Sequence, residues 1–172
     1  MKNIVIAGFM GTGKTKVAKI LSARLNMKYV STDRLVEEKE GISIREIFSK
    51  KGEGHFRKAE NGAIKDAALM ENVVIDAGGG VVVDPENLKN LKKKGMVVCL
   101  WADPGIILER TKKYTHRPLL NVRDPLGKIK ELLKSRRPFY ERADCHIDTS
   151  AMSAEEAADE IEGVIKNART NR

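Results

Sequence analysis

Eight consecutive residues, Gly8-Phe9-Met10-Gly11-Thr12-Gly13-Lys14-Thr15, constrain this chain more than any other feature. They meet the spacing G-x-x-x-x-G-K-[ST]. Glycines there let backbone N–H groups turn inward around phosphate oxygens. The lysine reaches the outer phosphates, and the hydroxyl can ligate magnesium. The motif needs a strand before it and a helix behind it. Ile4-Val5-Ile6-Ala7 is a short apolar run, and Val17, Ile20, Leu21 and Leu25 follow helical spacing, predicting a helix from about Lys14 to Leu25. The positive N-terminal end of that helix favours an anion further. In this setting the segment reads as a nucleotide-binding loop. Gly11, Thr12, Gly13, Lys14, Thr15 and Lys16 are the donor-binding candidates, with ATP and Mg2+ as the implied cofactors.

Downstream, apolar runs alternate with helical patterns, the signature of βαβ units and a parallel sheet. Tyr29-Val30-Ser31, Val73 to Ala77, Met96 to Trp101 and Cys145 to Asp148 complete five predicted strands. Inner strands that are apolar throughout predict a sheet covered by helices on both faces, a three-layer α/β sandwich of the P-loop NTPase kind. A long insertion, Asp33 to Asn72, carries helical patterns broken at Gly52-Glu53-Gly54. The polar stretch from about Lys112 to Asp124, with His116-Arg117-Pro118, lacks a period and is a candidate lid. Ala154 to Ala168 reads as a terminal helix with Ser153 as N-cap and Glu156 at the capping-box position.

The chain of 172 residues is the size of one domain, here a single unit over 1–172, and its 41% hydrophobic and 33% charged content is ordinary for a globular protein. No apolar stretch reaches the roughly 18–20 residues of a membrane span. The two cysteines, Cys99 and Cys145, sit in separate apolar runs and read as buried reduced thiols. The net charge of +8 comes with no basic-aromatic interleaving. Lys92-Lys93-Lys94 closes a predicted helix, where cations suit the dipole. The expectation is a cytoplasmic monomer acting on small molecules, without nucleic-acid or membrane partners.

A phosphate loop does not name the acceptor, so other residues must. Asp33 follows the second strand, where ligands gather in such folds. Arg57 lies in Gly54-His55-Phe56-Arg57-Lys58-Ala59-Glu60, and Gly78-Gly79-Gly80 ends the third strand. Arg117 sits in the expected lid and Arg136 precedes Arg137-Pro138-Phe139-Tyr140. Two planar guanidinium groups suit a carboxylated acceptor. A carboxylate beside an alcohol can orient it and take its proton, a role open to Asp33. His55 and His116 read as solvated, Arg137 and Arg142 as surface or helix-packing residues. Phe48 and Phe56 either line the acceptor pocket or pack the insertion.

Together, in order and spacing over nearly the whole chain, these segments resemble the shikimate kinase family. The resemblance implies transfer of the γ-phosphoryl of MgATP to the 3-hydroxyl of shikimate, and a sheet in the order 2-3-1-4-5. It implies that Arg57 and Arg136 hold the acceptor carboxylate, and that Asp33 binds ring hydroxyls including the attacking one. Gly79, flanked by Gly78 and Gly80, offers a backbone N–H. Lys14, Asp33 and Arg117 form the catalytic set, with Arg117 closing over the phosphates and Arg110 lying against adenine. A gluconate kinase, a nucleoside monophosphate kinase or a non-catalytic nucleotide-binding module are the rival readings. Two positions depart from the family pattern. Ser31 stands where the first aspartate of Asp-x-Asp is usual, and Asp76 stands where the third strand usually brings Ser or Thr. The compensating reading makes Asp76, with Thr15, the magnesium ligand; the alternative has Asp76 only hydrogen-bonding the loop.

Overall fold

The computed structural model describes residues 2–112, 120 and 122–170. Most of the expected lid, including His116 and Arg117, therefore lies outside the described residues. Five parallel strands form one sheet in the order β2-β3-β1-β4-β5: β1 Asn3–Gly8, β2 Lys28–Ser31, β3 Val73–Asp76, β4 Gly95–Trp101 and β5 Cys145–Asp148. The strand order and parallel pairing are those expected.

Alternation along the strands splits the core into two layers. Val5, Ala7, Val30, Ile75, Val97 and Cys99 point to one face, against Ile64, Leu91, Ile107, Ile129 and Tyr140. Ile4, Ile6, Val74, Val98, Leu100 and Ile147 point to the other, against Val17, Leu21, Ala158, Ile161 and Ile165. The period of two in the strands and the apolar stripes of the helices thus give three layers. The helices on the second face are α1 (Lys14–Arg24) and α7 (Ala154–Thr170). The capping box of α7 forms as expected, Ser153 N donating to Glu156 at 2.7 Å and Glu156 N to Ser153 Oγ at 3.1 Å.

The insertion after β2 has its own small core. Helix α2 (Thr32–Glu40) begins directly on the strand end, with Ser31 as N-cap accepting from Arg34 N, and ends at the left-handed Gly41. Helix α3 (Ile44–Leu69) opens on a Ser43/Glu46 capping box and kinks at Gly52 (φ 82°). The expected break at Gly52 is therefore a kink, because the helix resumes at once beyond it. Val36, Ile47, Phe56 and Ala63 fill the space between α2 and α3, and the rings of Phe48 and Phe56 meet at 4.8 Å. These two phenylalanines pack the insertion. Beyond β3 come a 3-10 turn (Val81–Val83) and α4 (Pro85–Lys94), whose last turn holds Lys92 to Lys94. Helices α5 (Pro104–Thr111) and α6 (Pro125–Tyr140) come before and after the segment expected to be a lid.

Two smaller expectations need correction. Cys99 is buried, but Cys145 is only half-buried, because β5 is an edge strand. His55 is not simply solvated: its Nε2 lies 2.8 Å from Glu40, whose carboxylate also takes Lys51.

Candidate active site

The site lies at the C-terminal ends of the strands, where open α/β sheets bind ligands. Strand β1 is central and wholly buried, so the loop leaving it starts from a fixed point. Gly8 is obligatory there: its φ is +133°, and a Cβ would lie 2.3 Å from the Leu100 carbonyl oxygen of the neighbouring strand. The loop is folded around the Phe9 carbonyl, which accepts from Thr12 Oγ1 at 2.7 Å and from Lys14 Nζ at 2.8 Å. Helix α1 has no acidic residue of its own in its first turn, which suits an anion at its N-terminal end. Lys14 is half-buried, whereas Thr15 and Lys16 are exposed.

Arg110 of α5 braces this loop. Its guanidinium donates to the Thr149 carbonyl at 2.7 Å and to the Gly11 carbonyl at 3.4 Å. The Thr149 hydroxyl in turn sits 2.9 Å from the Thr12 carbonyl. Thr149 attracted no notice in the sequence, because a lone threonine after a strand carries no pattern.

The carboxylate of Asp76, 7% exposed, closes the floor beneath Thr15. Its Oδ2 accepts from Thr15 Oγ1 at 2.6 Å and from Tyr29 OH at 2.9 Å. Asp76 and Ser31 are register partners on adjacent strands. Among the described residues there is no cluster of three His, Cys, Asp or Glu able to enclose a metal. A hydroxyl and one carboxylate beside a phosphate loop do fit Mg2+. That ion prefers oxygen ligands and takes one or two carboxylates alongside phosphates and water.

Next to this floor, the three glycines after β3 gather the charged residues singled out above. A Cβ at Gly78 would stand 2.8 Å from Asp33 Oδ1 and 3.2 Å from Glu60 Oε1. One at Gly80 would stand 2.5 Å from Arg57 Nη1, and one at Gly79 3.9 Å from Arg136 Nη1. Asp33 comes from α2, Arg57 from α3 and Arg136 from α6. Side chains at 78 or 80 would displace these groups, so the glycines form a floor over which they converge. Gly79 is also within 3.6 Å of the Met10 amide by the same measure, which sets the floor directly against the phosphate loop.

Each arginine is held. Arg57 donates to Glu60 at 2.8 Å and to Glu53 at 3.2 Å. Glu60 is 2% exposed; burial pushes its carboxyl up, while Arg57 and then Arg136 pull it back down. Burial works against the Arg57 charge, yet Glu60 and Glu53 outweigh it and leave the guanidinium raised. Arg136 lies over the Phe9 ring at 5.5 Å and donates to the Gly79 carbonyl at 3.4 Å. The same carbonyl takes Tyr140 OH at 2.8 Å. Burial raises that phenol to about 12, so it stays a donor. Arg137 and Arg142 face elsewhere, pairing with Glu141 and the Phe139 ring. Glu60, Tyr140 and Tyr29 were present in the sequence as pattern residues without a role. Only Glu60, three positions after Arg57 on a helix, carried a readable signal.

A separate cavity of about 700 Å3 opens at the opposite end of the sheet, lined by Lys2, Asn3, Lys92, Gly95, Asp144 and Ile165 among others. It holds none of the candidate donor- or acceptor-binding residues.

The sequence profile of shikimate kinase matches residues 10–166. The chain belongs to the shikimate kinase family. That membership makes it an ATP-dependent kinase. The shikimate kinase of Thermodesulfovibrio yellowstonii is 49% identical over 161 residues, 94% of this chain and 93% of that one. The enzyme of Caldanaerobacter subterraneus is 48% identical over 94% of both. Among solved structures, shikimate kinase from Acinetobacter baumannii in complex with shikimate has a TM-score of 0.93 at 34% identity, covering 98% of this chain and 94% of that one. A gluconokinase from Sinorhizobium meliloti reaches a TM-score of 0.66 at 19% identity over 98% and 94%. That likeness is one of fold alone.

Proposed function

We propose that the chain transfers the γ-phosphoryl group of ATP to the 3-hydroxyl of shikimate, giving shikimate 3-phosphate and ADP, in the route to aromatic amino acids. The observation that carries this reading is the glycine floor. It sets the carboxylates of Asp33 and Glu60 and two guanidinium groups around a side-chain-free surface beside the phosphate loop. Arg57 and Arg136 match a carboxylate, the one anionic group of shikimate. Their pre-set orientation by Glu60 and Phe9 lowers the entropy cost of binding.

Asp33 orients the attacking hydroxyl and accepts its proton as the new O–P bond forms and the bond to the leaving oxygen of ADP breaks. Gly79 offers its N–H to the acceptor. Gly11, Thr12, Gly13, Thr15 and Lys16 surround the donor phosphates, and Lys14 leaves the Phe9 carbonyl to neutralise charge on the transferred group. Arg110 holds the loop from the adenine side. Positioning and charge neutralisation account for most of the catalysis in such transfers. Thr15 and Asp76 would hold Mg2+, which when bound spreads the charge of the β- and γ-phosphates.

ADP release from MgATP, measured with shikimate, gluconate, AMP or no acceptor, tests the reading. Stimulation by shikimate alone is expected. Stimulation by gluconate or AMP instead would overturn it.

A further inference from the structure

Asp76 presents one oxygen to two hydroxyls, and only one of them belongs to the phosphate loop. Thr15 approaches at 2.6 Å from α1; Tyr29 approaches at 2.9 Å from β2. Tyr29 pairs with Val74 and Ser31 with Asp76, so Tyr29 lies on the Ser31 side of β2 and reaches forward along the strand to the carboxylate. Its ring is half-buried and Lys19 Nζ stands 5.7 Å from the ring centre. The Ser31 hydroxyl accepts from Arg34 N at the start of α2 and also lies against the Tyr29 phenol. The carboxylate at this corner is therefore supplied by β3 and its orientation by β2.

We infer that Tyr29 is a positioning residue for the metal of the metal–nucleotide complex: its hydroxyl fixes the plane of the Asp76 carboxylate so that Asp76 and Thr15 meet the cation together. This rests on the ATP-dependent reading above and adds a residue to it. A carboxylate held through Thr15 alone would depend on the phosphate loop for its orientation. The phenol supplies a second donor on the same oxygen, and it does not depend on the loop. Groups outside the ligand set that orient a metal-binding carboxylate contribute strongly to affinity.

The test uses the full chain and Mn2+ as probe, titrated in the presence of ADP and followed by electron paramagnetic resonance. Tyr29→Phe removes one oxygen and leaves the ring. Its Mn2+ affinity in the ADP complex is expected to fall about ten-fold, with metal-free ADP binding unchanged. Asp76→Asn should lose at least as much. Wild-type Mn2+ affinity in Tyr29→Phe would overturn the inference, as would a lowered unfolding temperature without a change in Mn2+ affinity. The metal titration involves no acceptor. A failure of the shikimate reading would appear only in the acceptor assay and leave this result standing.

Discussion

The two halves of the candidate site are built in different ways. The donor half comes from one stretch, residues 8–16, and its shape is made by backbone: a glycine against a neighbouring strand, a carbonyl gathering two side chains, and an open helix end. The acceptor half is assembled from α2, α3, the turn after β3 and α6, with Asp33 and Arg136 more than a hundred residues apart. Backbone geometry tolerates little change but needs few partners. A site gathered from side chains depends on each support, such as Glu60 behind Arg57 and Phe9 behind Arg136. The halves meet at Gly79, whose carbonyl is held by Tyr140 and Arg136 while its Cα faces the phosphate loop.

This contrast can be broken by experiment. The largest effect belongs to the donor half: Lys14→Met should lower kcat by roughly 10^2–10^3-fold, as read by ADP formation at saturating substrates. An unchanged kcat would remove Lys14 from the transfer step. A mid-sized effect belongs to the acceptor half. Gly80→Ala would drive a methyl group into the Arg57 guanidinium, now 2.5 Å from that Cβ position. The KM for shikimate should rise about ten-fold, while the KM for ATP stays at the wild-type value. A matching rise in both constants would show that the halves are not separable.

The smallest effect concerns their meeting point. The Tyr140 phenol ionises near 10 in an unfolded chain but is pushed up to about 12 by burial in the fold. A raised acid of this kind contributes stability that is complete below about pH 10 and is lost as pH rises toward 12. The wild-type unfolding temperature should therefore fall across that window. In Tyr140→Phe the fall should be shallower, since the buried Cys99 thiol, also raised to about 12, still contributes. At neutral pH the same variant should lose about 1 kcal/mol with the Gly79 hydrogen bond, read by denaturant unfolding. An identical pH profile in both proteins would refute the assignment.

Much of this was legible before any coordinates. The buried strands announced themselves as apolar runs because a parallel sheet covered on both faces needs nothing else of them. The donor loop was legible because its chemistry lies in consecutive residues. The acceptor residues could be joined into one site only by resemblance to a family, since their meeting depends on how three helices pack. Tyr29 and Thr149 were beyond reach for a related reason. Each matters through one hydroxyl whose partner is 47 or 137 positions away, and no local period marks such a pair. Gly52 was read as a break, yet the helix resumes because a single residue of unusual φ interrupts the hydrogen-bond ladder without ending it.

The pairing of Ser31 with Asp76 across two adjacent strands has a consequence for molecules aimed at this pocket. The carboxylate beside Thr15 comes from β3, and its register partner on β2 is a small hydroxyl already engaged in starting α2. A compound built to grip a carboxylate at the end of β2 would find no anchor here. One that reaches the rung next to it would meet the Asp76 carboxylate, which makes this corner a handle for selectivity.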